Sequence, residues 1–170
     1  MTEQHDWNRR SLRDLMRHIV RCHHAYLRHA MPALHQQLQR LQALYGTLGP
    51  DPALGPVFAG MWDELDLHMD KEETLLFPYL DRLEAAAAVS LPHPFAGART
   101  GALELMEDEH ESATASMREI RLLTNHYSVP ELSCPTYSAF MNGLRQLESD
   151  LHLHIHLENN ILFPRARLLM

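Results

Sequence analysis

Apolar residues recur at steps of three and four through most of the chain, and no stretch alternates as a half-buried strand would. The first run, Leu12, Leu15, Met16, Ile19, Val20, Leu27, Met31, Leu34, Leu38, Leu41 and Leu44, predicts a helix from about Ser11 to Tyr45. Ser11, with Asp14 three residues later, reads as its capping start. Pro32 is expected to kink it, and Gly46, Gly49, Pro50 and Pro52 end it.

A second helix begins between Pro52 and Pro56 and runs to about Ala88, with Phe58, Met61, Trp62, Leu65, Leu75 and Leu76 on or near its buried side and Pro78 interrupting it. Val89 to Thr100, rich in Pro and Gly, is the clearest turn region. A third helix follows from about Gly101 to Tyr127, and a fourth from about Cys134 to Leu169, separated by Ser128-Val129-Pro130 and Pro135. Four long amphipathic segments with mostly short connections predict an all-α, up-down-up-down four-helix bundle. Residues 1–10 read as a flexible N-terminus and 11–170 as one bundle domain.

Polar residues on the buried faces change this picture. His68-Met69-Asp70-Lys71-Glu72-Glu73-Thr74-Leu75-Leu76-Phe77-Pro78 returns 86 residues later as His154-Ile155-His156-Leu157-Glu158-Asn159-Asn160-Ile161-Leu162-Phe163-Pro164. In each copy His and Glu stand four apart, which puts them on one helix face within reach of one inward site. A further His lies 44 residues before each copy, His24 before His68 and His110 before His154. The chain therefore reads as two halves of one design, an internal two-fold repeat whose four imidazoles and two carboxylates meet at one centre.

Burying six ionisable groups in an apolar bundle without a cation would cost several kcal/mol in desolvation. Imidazole with bridging carboxylates suits a hard, redox-active metal pair such as di-iron. If Glu72 and Glu158 both bridge, each metal receives about four protein bonds, and a six-coordinate iron keeps about two positions for an oxo or hydroxo bridge and an outside ligand. Glu64 and Asp150, each four residues before a ligand His, and Glu109, just before His110, are candidates to orient an imidazole by accepting its other N–H. His152 and His156 flank His154 and should face solvent; Phe77 and Phe163 should pack in the core below the metal layer.

Composition narrows the function classes. The chain has 170 residues, 13 of them His, and a formal charge of -7, which argues against nucleic acid or an anionic membrane as partner. No apolar stretch has the length of a signal peptide or membrane span, so a cytoplasmic location is expected. Cys22 and Cys134 form no redox or zinc motif and read as reduced, partly buried thiols.

The order His-x-x-x-Glu separates this chain from ferritin-like proteins, which use Glu-x-x-His. It resembles the hemerythrin superfamily, and HMDKEETLLFP with HIHLENNILFPRA is most similar to the RIC family, proteins for repair of iron centres. The resemblance covers Arg17 to Ala166. It implies that His24, His68, His110 and His154 are metal ligands and that Glu72 and Glu158 bridge two iron ions. It further implies a role in nitrosative or oxidative stress, by iron donation to damaged iron-sulfur proteins or by binding nitric oxide. The alternative is hemerythrin-type dioxygen binding, storage or sensing; a third class is a di-iron oxidoreductase acting on peroxide or nitric oxide. A homodimer is the assembly the resemblance suggests.

Two departures stand out. Tyr45 occupies a position where the family often carries a further His, but 21 helical residues cover about 31 Å, so it should pack at the helix end, away from His24. RIC proteins commonly carry a small extra N-terminal domain, whereas about ten residues precede the first helix here.

Overall fold

A computed structural model of the chain describes residues 7–46, 49–89, 100–131 and 134–170. All regular structure among them is helical, in four rods. The first comprises α1 (Leu12–Ile19) and α2 (Ala25–Tyr45), joined by a wide, π-type turn at Val20–His24. The second comprises α3 (Leu54–Lys71) and α4 (Phe77–Ala88), joined by a π turn at Glu72–Leu76. The third is α5 (Thr100–Leu123), and the fourth comprises α6 (Pro135–Leu157) and α7 (Phe163–Arg167), joined by a π turn at Glu158–Leu162. Because α1 packs on α4 while α2 packs on α3, the first two rods run antiparallel; α3 with α5, α2 with α6 and α5 with α6 complete the ring of the bundle.

The start of the first rod is fixed twice. Ser11 Oγ accepts the Asp14 N–H at 3.0 Å, and Glu84, from the end of the second rod, accepts the N–H groups of Leu12 at 2.7 Å and Arg13 at 3.1 Å. A carboxylate on the free N–H groups of a first turn satisfies them and complements the helix dipole. Gly143 allows α6 to approach α2, since a Cβ there would stand 2.6 Å from Leu34 Cδ2.

The prolines do not end the helices that contain them. Pro32 lies inside α2, and the second rod continues through Pro78. The irregularity sits before the proline: Phe77 N–H reaches back five residues to the Glu72 carbonyl, and Phe163 N–H does the same to Glu158. A wider turn there gives the ring of Pro78 or Pro164 room against the carbonyl four residues back.

The third helix is shorter than its pattern predicts, ending at Leu123 instead of Tyr127. Asn125, His126 and Tyr127 all adopt positive φ, 46°, 57° and 61°. Such residues persist only where their surroundings hold them. Here Arg145 donates to the Tyr127 carbonyl at 2.6 Å, and Thr124 Oγ1 accepts the Tyr127 N–H.

The core falls into two apolar clusters. One gathers Leu27, Met31, Leu65, Met117, Phe140 and Leu151 with their neighbours; the other gathers Leu12, Leu15, Phe77, Leu80, Leu103 and Phe163. Burial of each such side chain contributes roughly 1.5–3 kcal/mol. Among the buried polar residues between these clusters are His23, His24, His68, Glu72, His110, His154 and Glu158. Among the described residues no helix is long and apolar enough to cross a membrane.

Candidate metal centre

Each half of the repeat delivers its polar residues through the same local device. Glu72 and Glu158 open π turns, four residues after His68 and His154, which close α3 and α6 on the same inward faces. His24 ends the π turn of the first rod, and His110 comes from the regular helix α5. Phe77 stacks on His24, with ring centroids 5.9 Å apart, and Phe163 stacks on His110 at 6.0 Å, so the repeated phenylalanines wall the layer on one side.

The six side chains form two groups that share both glutamates. One group is His24, Glu72, His154 and Glu158; the other is His68, Glu72, His110 and Glu158; within each, the candidate donor atoms lie within 4.8 Å of one another. Glu72 turns Oε2 to His24 Nε2 at 3.2 Å and Oε1 to His68 Nε2 at 3.4 Å. Glu158 turns Oε1 to His154 Nε2 at 3.1 Å and Oε2 to His110 Nε2 at 3.0 Å. Each carboxylate thus offers one oxygen to each group.

The hydrogen bonds outside these groups show what the arrangement is built for. His24 Nδ1 faces Glu73 Oε1 at 2.8 Å, His68 Nδ1 faces Glu109 Oε2 at 2.8 Å, and His110 Nδ1 faces Asn159 Oδ1 at 2.7 Å. Those acceptors fix a proton on Nδ1, so Nε2 is the atom each ring turns inward and the one that offers a lone pair when a cation takes the place of its proton. Yet His68 Nε2 and His110 Nε2 stand 3.0 Å apart, and His24 Nε2 stands 3.3 Å from His154 Nε2. All four oxygens of Glu72 and Glu158, both 0% exposed, lack a hydrogen bond among the described residues. Converging lone pairs and unbonded buried carboxylates are what a cation would satisfy.

The charges lean the same way. For His68, His154, Glu72 and Glu158 burial opposes the charged form, but opposite charges outweigh it. His68 is pushed up to about 9, against its own burial, chiefly by Glu72, and His154 is raised by Glu158. Glu72 is held below the ordinary carboxylate range by His68 and His24, despite burial and the nearby Glu158, and Glu158 is held well below it by His154 and His110.

Of the acids expected to orient an imidazole, Glu109 and Asp150 stand against ring nitrogens and Glu64 does not. Glu109 serves His68 from the neighbouring helix and also takes Lys71 Nζ. Asp150 accepts from His23 Nδ1 at 3.0 Å, and Glu64 is exposed and accepts from Ser112 Oγ at 3.0 Å. Glu73 and Asn159, not anticipated, each directly follow a repeated glutamate and lie 86 residues apart, so the repeat itself carried the signal. Arg28 donates to Glu73 at 2.5 Å and to Asp70 at 2.9 Å, balancing the acid that serves His24.

His23 is buried beside His24 but belongs to neither group. His152 and His156 are exposed, as expected. Tyr45 lies at the far end of α2, where its hydroxyl accepts the Cys134 N–H at 2.7 Å. Cys22 is exposed, in contrast to the partly buried thiol expected, because the π turn carries it on its outer side. His5 and His93 lie outside the described residues. A cleft of about 310 Å³, lined by Glu64, His68, Lys71 and Glu109 among others, brings solvent to the edge of the layer.

Comparison with known proteins agrees with this geometry. The family described as Hemerythrin HHE cation binding domain matches residues 15–166. An "Iron-sulfur cluster repair protein YtfE" of Yersinia pseudotuberculosis serotype IB (strain PB1/+) is 32% identical over 169 residues, covering 97% of this chain and 72% of that protein. The protein of the same name from Yersinia pestis (strain Pestoides F) shows the same identity and coverage.

Proposed function

Because the chain belongs to the hemerythrin HHE cation-binding family, we propose that its six buried donors hold two iron ions and that the protein supplies iron to iron-sulfur proteins under repair. The observation that carries this reading is the sharing of Glu72 and Glu158 between two groups of four donors, one oxygen of each carboxylate in each group. Two carboxylates and four neutral imidazoles offset two of the four charges of a ferrous pair. A full shell of six leaves each ion about two positions not filled by side chains. The ions would supply redox chemistry and open positions for small ligands such as nitric oxide or dioxygen.

The chain's own residues perform the rest. Glu73, Glu109 and Asn159 hold the Nδ1 protons and aim three Nε2 lone pairs inward. The apolar clusters on either side restrict water, and the cleft beside His68 and Glu109 is a place where an ion or a small ligand can approach. Similarity to proteins named for iron-sulfur cluster repair favours iron as cargo over iron as a permanent gas-binding cofactor.

The test is anaerobic iron loading followed by addition of an apo iron-sulfur acceptor, and separately of nitric oxide. Two irons per chain that pass to the acceptor are expected. Two irons that stay bound while forming a stable nitrosyl or oxygenated adduct would move the reading to gas binding. Fewer than one metal per folded chain would end the di-iron reading.

A further inference from the structure

The internal repeat is not symmetric in the hydrogen bonds that hold its imidazoles. A shift of 86 residues relates His24 to His110, His68 to His154, Glu73 to Asn159, and His23 to Glu109. The first and third pairs behave alike: Glu73 takes His24 Nδ1, and Asn159 takes His110 Nδ1. The other pairs do not. Glu109 takes His68 Nδ1, but His154 Nδ1 is buried without a partner among the described residues.

His23 stands where the acceptor should be and cannot serve as one. Its ring lies parallel to that of His154, centroids 5.6 Å apart and planes 8° apart, a stacking geometry with no in-plane hydrogen bond. Its Nδ1 is turned to Asp150 instead, and its Nε2 is itself buried without a partner among the described residues. The backbone accounts for the difference. Val20–His24 is a π turn, whereas His110 and Glu109 sit in a regular helix. The wider turn brings residue 23 into the bundle, 3% exposed, while the Glu109 side chain remains 27% exposed at the edge of the layer.

We infer that the two cation positions bind unequally: the His24/His154 position holds its ion about 10–100-fold more weakly than the His68/His110 position, and is the first to be emptied. That span is the usual cost in affinity of losing an outer partner of a metal-bound imidazole. Glu73 serves His24 as Glu109 serves His68, each balanced by a cation, Arg28 or Lys71, so those two rings are matched. The difference therefore falls on His154, with no acceptor, against His110, with an amide acceptor. The inference rests on the two-ion reading and adds which ion is available for transfer.

The experiment is an anaerobic titration of the metal-free full chain with ferrous iron against a chromogenic chelator, yielding stoichiometry and both dissociation constants. Two ions with constants about 10–100-fold apart are expected. His24→Ala should keep the tighter constant and His110→Ala the weaker one. Reciprocal exchanges separate the hydrogen bond from mere packing. His23→Glu, which gives the first half the residue of the second, should tighten the weak position toward the strong one. Glu109→His should weaken the strong position, and this variant decides the matter if His23→Glu does not fold. Two ions of equal affinity, or the reverse assignment in the alanine variants, would overturn the inference while leaving the two-ion centre standing. Failure to bind two ions at all would instead remove the functional reading beneath it.

Discussion

Replacing Glu72 by Gln keeps the size of the side chain and removes one of the two carboxylates that both cation groups share. Its two oxygens lie 3.2 and 3.4 Å from His24 and His68, one in each group, so a single substitution should weaken both positions together. The magnitude follows from linkage. An ion present at 100 times its dissociation constant stabilises the fold by about 2.7 kcal/mol, and in a domain of this size 1 kcal/mol is worth about 2–4 °C of Tm. Each ion should therefore raise Tm by about 5–11 °C.

In Glu72→Gln most of that shift should disappear for both ions. The metal-free Tm should change by less than the shift that is lost, because the carboxylate removed is fully buried and has no hydrogen bond there. The assay is calorimetry of the parent and the variant under anaerobic conditions, with ferrous iron and with chelator, alongside iron content per chain. Glu73→Gln is the control, since His24 is the one ligand imidazole it holds, and it should weaken one ion alone. A Glu72→Gln protein stabilised by ferrous iron as strongly as the parent would refute the shared-carboxylate reasoning.

Other substitutions test the frame around the site. Gly143→Val drives a side chain against Leu34 and should cost about 1–3 kcal/mol in urea denaturation without changing iron stoichiometry. Ser11→Ala removes the acceptor for the Asp14 N–H and should cost about 1 kcal/mol, read as a lower denaturation midpoint. Tyr45→Phe loses the bond to the Cys134 N–H but should leave iron content and optical spectrum at parent values; a spectral change would make Tyr45 part of the centre after all.

The sequence by itself determined the bundle and the shared centre, since both rest on periodicity. Steps of three and four placed Leu15, Leu34, Leu38 and Leu65 inside, and i, i+4 spacing put His68 with Glu72 and His154 with Glu158 on inward faces. The 86-residue repeat then brought His24 and His110 to the same layer. Where the third helix ends was not legible in this way. The pattern runs on past Leu123, but Arg145, 18 residues further along the chain, holds Tyr127 in a left-handed conformation.

Which imidazole each outer group holds was decided only by tertiary structure, because each such bond joins different rods. Glu109 reaches His68 and Asp150 reaches His23 from neighbouring rods, pairings that sequence position beside His110 or His154 does not specify. The π turns decided the rest. One added residue in a turn of 3.6 rotates a side chain by about 100°, which carries Cys22 outward and His23 inward and breaks the symmetry that the sequence repeat implies.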